Sequence, residues 1–220
     1  MKSNILYRFL KRFFDMCSSG LALIVLIPVW LFAIAGIEIS DPGPVFYVAN
    51  RVGKDNEHFK MYKFRSMRVD KNENEKSLRP NQNRIYKWGG IMRNTKIDEL
   101  PQLINVFIGD MSVIGPRPAS VDQVEITRAG KYAATSQLKP GLSGPSALYD
   151  YIYGDSITDE IEYERLVLTT RLNLDLYYLK VCGIHFDIKM IWWTVLSIIV
   201  RSKRPMMLEQ LKLWASTIEQ

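Results

Sequence analysis

RNTKIDELPQLINVFIGDMSVIGPRP, residues 93–118, sets an adjacent acid pair, Asp98 and Glu99, between two arginines, Arg93 and Arg117. Pro101 is the first constraint. It lacks an amide hydrogen and fits a helix only in the first turn, so a helix from Leu100 to Ile108 cannot begin much before Ile97. The acid pair is then expected at a helix N-terminus, where free amides favour carboxylate or phosphate. Gly109-Asp110 ends the helix. In Gly115-Pro116-Arg117-Pro118 the prolines stiffen the backbone on both sides of one guanidinium. Taken alone, two acids at a helix start are an N-terminal cap. Beside two guanidinium forks able to grip phosphate, they suit chemistry on a phosphate ester.

The order Asp98-Glu99-Leu100-Pro101-Gln102-Leu103, Asn105-Val106, Gly109-Asp110-Met111-Ser112 and Ile114-Gly115-Pro116-Arg117-Pro118 resembles the bacterial sugar transferase family. These are monotopic polyprenyl-phosphate phosphoglycosyl transferases that start surface-glycan assembly, and the match extends over most of the chain. The resemblance implies transfer of a phosphosugar from a nucleotide diphosphosugar, with UDP the carrier expected first, to polyprenyl (undecaprenyl) phosphate at the cytoplasmic face of the bacterial inner membrane. It also implies two steps. A carboxylate can attack phosphorus and split one displacement into two, which makes Asp98 the nucleophile. Glu99, with Asp98, would hold Mg2+, a hard cation suited to oxygen ligands and phosphates. Lys63, Arg93 and Arg117 would grip the phosphates. The partners are then the nucleotide sugar, the polyprenyl phosphate and membrane lipids. The sugar, the base, the pathway and the oligomeric state, a homo-oligomer included, stay open.

Composition agrees with phosphate-rich partners. Among 220 residues, Lys plus Arg number 29 against 23 Asp plus Glu, a net charge of +6, which favours nucleotides, anionic lipid or nucleic acid. The basic residues are scattered and match no nucleic-acid motif, so no nucleic acid is expected. Cys17 and Cys182 lack metal or disulfide spacing and read as reduced and structural. His58 and His185 are isolated, which argues against a zinc site or a histidine triad.

Residues 1–15 place Lys2, Arg8, Lys11 and Arg12 among Leu6, Leu10, Phe13 and Phe14 at helical spacing, a basic amphipathic helix for a membrane surface. Met16 to Ile37 carries no charge and would be about 33 Å long as a straight helix, enough to cross a bilayer. Three readings compete: a leader cleaved near Gly36 after Ala33-Ile34-Ala35, a single crossing, and a helix broken at Pro28 that returns to the face it left. Basic residues mark the cytoplasmic side. They stand on both flanks, Lys2 to Arg12 before and Arg51 to Arg68 after, and a returning hairpin exports neither. The resemblance implies the same hairpin, set by Pro28. This sequence has Ile27 where the family often has serine, which changes the local hydrogen bonding.

Asp41-Pro42-Gly43-Pro44 closes that segment. Val45 to Val48 and His58 to Phe64, around Gly53-Lys54-Asp55-Asn56, predict a β-hairpin. Lys63 and Arg65 at its end read as a solvated strand edge, or, by the resemblance, as placing Lys63 on phosphate. Asp70 to Gln82 reads as an exposed loop, and Ile85 to Met92 as leading into the active segment, with Trp88 in the core or at the lipid interface. Ala119 to Ala134 reads as helical and Lys139 to Gly144 as a glycine-rich turn. Lys139 stands where the family commonly has arginine, keeping charge but losing the planar fork. Tyr149, Tyr151 and Tyr153 alternate beside Asp150 and Asp155, either a surface loop or a sugar-selecting segment. Glu160 to Lys180 is a long helix. Phe186 to Val200, followed by Arg201, Lys203 and Arg204, reads as an interfacial helix with a core helix as the alternative.

The fold expected is α+β and mainly helical, with an N-terminal re-entrant membrane helix, a small β-hairpin and interfacial amphipathic helices in one globular catalytic domain. Residues 1–40 form the membrane segment, 41–205 the catalytic domain and 206–220 a C-terminal amphipathic tail. A non-catalytic basic membrane module that binds lipid or protein is the alternative function. It leaves Gly115 to Pro118 and the acid pair unexplained.

Overall fold

A computed structural model describes residues 5–69 and 82–218; the loop expected over 70–82 lies almost wholly outside them. The chain begins with α1 (Ile5–Val25) and α2 (Ile27–Ser40). Nothing between Ile5 and Val25 breaks a helix, so the basic and apolar segments form one element rather than two. The break comes where Pro28 occupies the first turn of α2, and the two axes bend by 59°. The residue before α2, Leu26, supplies no side-chain cap, and Ile27 is the first residue of the helix. No single helix among the described residues is long and apolar enough to cross a membrane. The Ala33-Ile34-Ala35 cleavage candidate lies inside α2, and Ala33 and Ile37 are buried against Phe64, Tyr86 and Met92.

The polarity of α1 is inverted relative to a surface helix of a water-soluble protein. Apart from the exposed Arg8, its charged groups face the protein. Tyr7 and Lys11 donate to Asp187 at 3.0 and 2.7 Å, Arg12 donates to the Val106 and Phe107 carbonyls at 2.7 Å each, and buried Asp15 accepts from the Val113 amide at 3.0 Å. Its apolar groups face outward: Phe9 is 68% and Leu21 64% exposed. Cys17 is a free cysteine and lies exposed.

The predicted hairpin is present as β1 (Phe46–Val52) and β2 (His58–Phe64), antiparallel with Lys63 opposite Tyr47. Arg65 is not on a solvated edge. It is buried, bonded to Asp41 and to the Pro44 carbonyl, and pins the turn after α2. α3 (Lys87–Thr95) then crosses α2, with Trp88 donating to the Ala33 carbonyl at 3.3 Å and stacking edge-on against Phe32. Gly89 lies so close to the Ser66 backbone that a Cβ would meet its carbonyl oxygen at 2.0 Å.

α4 (Gln102–Ile108) covers the open edge of β2, and Asn105 does the joining. Its fully buried amide donates to the Lys60 carbonyl at 2.7 Å and accepts from the Tyr62 amide at 3.1 Å, imitating a neighbouring strand. Gly109 (φ 104°) ends the helix as expected. β3 (Ser112–Ile114) follows, then β4 (Ala119–Ser120), which completes a sheet of order β2-β1-β4. The helix expected over 119–134 is replaced by β4, the single turn α5 (Val124–Thr127) and 3-10 turns. Likewise Gly141–Ser143 is no turn but β5, parallel to β3.

The remaining chain is helical: α6 (Pro145–Ile152), α7 (Glu160–Tyr163), a π-type stretch at Glu164–Leu168, α8 (Thr169–Val181), α9 (Ile184–Ile199) and α10 (Arg204–Ser216). The tyrosine segment is therefore helix α6, not a surface loop. α9 combines both readings made of it, since Met190 is in the core while Ile184, Ile188, Trp192, Val195 and Ile199 form an exposed stripe. α10 starts at Arg204 and packs Leu211, Trp214 and Ala215 into the same core as Tyr149, Tyr163 and Leu174, so the tail is integral to the domain. Within this core Ser146 donates to the buried Asp175 carboxylate at 2.5 Å. Burial outweighs that bond and pushes the carboxyl up to about 6.

Gly89→Ala should destabilise the protein by about 2–3 kcal/mol, because backbone rather than a side-chain tip must yield; thermal unfolding in detergent reads it. Asp175 binds its proton more tightly folded than unfolded, so its stabilisation is complete below pH 3.8 and lost as pH rises through about 6. Asp175→Asn should match wild type near pH 4 and exceed it by up to about 3 kcal/mol at pH 8, read as the difference between the two denaturation curves.

Candidate active site

The acid pair is placed by a backbone reversal at Lys96. This residue caps α3 in the left-handed conformation (φ 59°), its amide donating to the Arg93 and Met92 carbonyls, and turns the chain into one 3-10 turn, Ile97–Glu99. Asp98 and Glu99 therefore precede α4, which starts at Gln102 after Pro101, and the expected helix N-terminus is corrected to this separate turn. Side-chain cations, not helix amides, have to hold the carboxylates.

Those cations arrive from several elements. Lys63 reaches from β2 to Glu99, Nζ to Oε1 3.1 Å. Burial would raise the Glu99 carboxyl, but Lys63, Lys96 and Arg117 outweigh it and hold the group far below the usual carboxylate range. Asp98 is only 5% exposed, and its Oδ1 has no hydrogen-bond partner among the described residues. Burial, and then the Glu99 charge, push its carboxyl up, partly opposed by Lys63 and Arg93. One carboxylate is thus held firmly ionised, and its neighbour keeps an unsatisfied oxygen.

Arg117 projects from the turn after β3, 37% exposed at the side chain, with Nε 3.4 Å from Asp150 Oδ2. Asp150 is itself buried, accepts from Tyr163 Oη at 2.8 Å and lies 3.8 Å from Arg171, so the base of the guanidinium rests on a fixed carboxylate. Arg93 occupies the last turn of α3. A cavity of about 560 Å³ takes part of its wall from each of Lys63, Arg93, Asp98, Glu99 and Arg117. Pro28 does not line it and sits at the bend between α1 and α2.

The same wall contains residues that local sequence reading did not assign to the site. Lys96 pairs with Asp155 at 3.2 Å and lies 4.6 Å above the Tyr151 ring. Arg204 lies 4.7 Å from the same ring and donates to Tyr151 Oη at 2.8 Å; Arg201 joins it. Tyr151 and Asp155 came from the tyrosine segment. Arg201 and Arg204 carried only the signal of a basic edge on an apolar helix, which does not point to an active site. Lys139 lies elsewhere, near Gly109 and Arg12, where burial and then Arg12 lower its pKa, so its replacement of arginine does not alter this wall. Six cations, Lys63, Arg93, Lys96, Arg117, Arg201 and Arg204, face three carboxylates across the cavity, an excess suited to a diphosphate. A second cavity of about 520 Å³ meets the first at Lys63, Arg93, Asp98, Arg117 and Asp155.

Comparison with known proteins agrees with this geometry. Residues 6–201 match the family described as Bacterial sugar transferase. The chain is 36% identical over 191 residues to the UDP-glucose:undecaprenyl-phosphate glucose-1-phosphate transferase of Escherichia coli, covering 86% of this chain and 40% of that protein. It is 38% identical over 205 residues to the Exopolysaccharide production protein PSS of Rhizobium leguminosarum bv. phaseoli, covering 88% and 97%. With the UDP-N-acetylgalactosamine-undecaprenyl-phosphate N-acetylgalactosaminephosphotransferase of Aeromonas hydrophila it shares 32% identity over 198 residues, covering 88% and 44%. It thus spans less than half of two of these relatives and nearly all of the third. An acid pair gripped by lysine and arginine, in a chain matched along most of its length, places this protein in the bacterial sugar transferase family.

Proposed function

We propose that the chain transfers a sugar phosphate from a UDP-sugar to undecaprenyl phosphate through a phosphosugar bonded to Asp98. The observation that carries this reading is the unpartnered, buried Asp98 oxygen at a cavity dominated by cations. In the first step an Asp98 oxygen attacks the phosphorus next to the sugar. The bond from that phosphorus to the bridging oxygen breaks, and UMP leaves with the electron pair. In the second, a phosphate oxygen of the lipid attacks the same phosphorus, the bond to Asp98 breaks, and the carboxylate returns. Lys63, Arg93 and Arg117 hold the phosphates and spread the charge that develops. Glu99, kept ionised by Lys63, stays anionic throughout.

Asp98 and Glu99 would hold Mg2+. Among the described residues no third acid, histidine or cysteine converges with them, so substrate phosphates and water would complete the shell, as is usual for this ion. The unsatisfied Asp98 oxygen fits such a role, and the bound ion would supply neutralisation of phosphate charge.

The outward apolar faces of α1 and α9, joined by the Lys11–Asp187 pair, support a membrane surface as the site of action. A symmetric V with a 59° bend slopes each arm about 30° to the membrane plane. At 1.5 Å per residue α2 would then reach only about 10 Å deep, well short of a core of about 30 Å. The hairpin is therefore read as re-entrant, dipping into the inner-membrane leaflet from the cytoplasmic face with Pro28 at its tip. Such a placement keeps the acceptor's hydrocarbon in lipid and its phosphate at the cavity.

With a UDP-sugar and no acceptor, wild type should gain the mass of one sugar phosphate. Asp98→Asn should gain none and turn over at least about 10³-fold more slowly. An adduct on Asp98→Asn, read by intact mass, would remove Asp98 from its role. For topology, single cysteines introduced at Arg8 and Glu57 in a cysteine-free background should both react with an impermeant reagent from the cytoplasmic side of oriented vesicles. Labelling of the two from opposite sides would rule out the re-entrant arrangement.

A further inference from the structure

A nucleophile that reacts with two substrates in turn must be reached by both, and both must bring a phosphate to the same cations. The two cavities meet in this way, sharing Lys63, Arg93, Asp98, Arg117 and Asp155. They differ in where the rest of each molecule could go. Beyond the shared residues, the first cavity is walled by Asn94, Lys96, Glu99, Tyr151, Arg201 and Arg204, with Ile85 its one aliphatic side chain. Hydrocarbon laid there would strip water from charged groups and offer them nothing in return. Hydroxyls, a base and phosphates would find partners.

The second cavity has a different wall. Phe46, Tyr47 and Val48 of β1 line it, each more than two-fifths exposed, together with Met67 and Val69. Phe46 stacks on Phe64 with centroids 5.5 Å apart and lies 6.2 Å from the ring of Trp30 on α2. Apolar surface therefore leads from the reacting carboxylate to the bent helix pair. Arg51, Arg68, Arg84 and Arg128 also line this cavity, and Asp150, Arg171 and Asp175 wall its interior, so hydrocarbon contact is confined to the β1 lip while the interior attracts anions.

Resting on the two-step reading above, we infer that the second cavity is the acceptor subsite. The phosphate of a polyprenyl phosphate sits at Lys63, Arg93 and Arg117, its first isoprene units lie along Phe46, Tyr47 and Val48, and the chain leaves past Trp30 into lipid. The first cavity is left to the nucleotide sugar. No additional bond changes are required: the acceptor oxygen attacks phosphorus in line with the Asp98 oxygen, the acyl-phosphate bond to Asp98 breaks, and the carboxylate leaves with the electron pair.

The half-reactions separate the two subsites. In lipid nanodiscs, Val48→Glu should form the phosphosugar adduct from a UDP-sugar within about twofold of wild type, yet discharge it to undecaprenyl phosphate at least about tenfold more slowly. Arg204→Ala should show the reverse split. Equal slowing of both half-reactions by Val48→Glu, or undiminished discharge, would overturn the assignment. A second measurement is independent of folding in a variant and of turnover. Wild type irradiated with a diazirine-bearing polyprenyl phosphate should be labelled at residues 46–48, and labelling at Tyr151 or Arg204 instead would also overturn it. Failure of wild type to form any adduct with a panel of UDP-sugars would sink the two-step reading, while the crosslink would still show where the lipid phosphate binds.

Discussion

Two adjacent carboxylates cannot be buried together unless cations are brought to them, and much of this structure serves that requirement. Lys63 comes from a strand, Arg93 and Lys96 from the end of α3, and Arg117 from a turn held by two prolines. None of these segments is near another in the chain. The cost of gathering like charges is reduced by the acids themselves and by Asp150, which holds Arg117 from below while Tyr163 and Arg171 hold Asp150. The site is left with excess positive charge and one unsatisfied carboxylate oxygen, a state that a phosphate-bearing ligand improves.

The strand that carries Lys63 is itself in need of support. The three-stranded sheet and the separate β3-β5 pair both leave edges, and here side chains rather than further strands close them. Asn105 bonds to the Lys60 carbonyl and the Tyr62 amide on the edge of β2, and Asp15 takes the Val113 amide of β3. Asn105 stands in the same short segment as the acid pair, so the helix that follows the carboxylates also fixes the strand that supplies their lysine. Arg12 closes the far end of that helix by accepting nothing and donating to its last carbonyls. The N-terminal helix thereby becomes part of the site's framework.

That role explains the reversed polarity of α1. Its Arg12, Lys11 and Asp15 are occupied by the domain, which leaves Phe9, Leu21 and their neighbours to face outward, as the stripe on α9 does. Exposed apolar surface on two helices joined by an ion pair is costly in water and favourable in lipid. The arrangement fits the acceptor proposed above, half lipid and half phosphate.

Much was legible in the chain itself because it depended on local chemistry. The break at Pro28, the helix end at Gly109 and the pairing of two extended runs around the Gly53 to Asn56 turn were all expected from local chemistry. The five polar candidates, Lys63, Arg93, Asp98, Glu99 and Arg117, line one cavity. What depended on packing was not legible. Residues 119–134 gave up a helix because Ala119 and Ser120 pair with β1, and Gly141–Ser143 became a strand because β3 lay alongside. Arg65, one residue beyond the hairpin, turned inward to Asp41 while Lys63 faced Glu99. Arg201 and Arg204 read as the edge of an apolar helix, and only the docking of α10 against α6 and α8 brought them to the cavity wall, with Arg204 over Tyr151. The residues themselves determined which groups could bind phosphate and where the backbone must bend. The tertiary structure decided which of those groups meet, because long-range pairing and burial outweigh local preference wherever distant segments compete for the same partner.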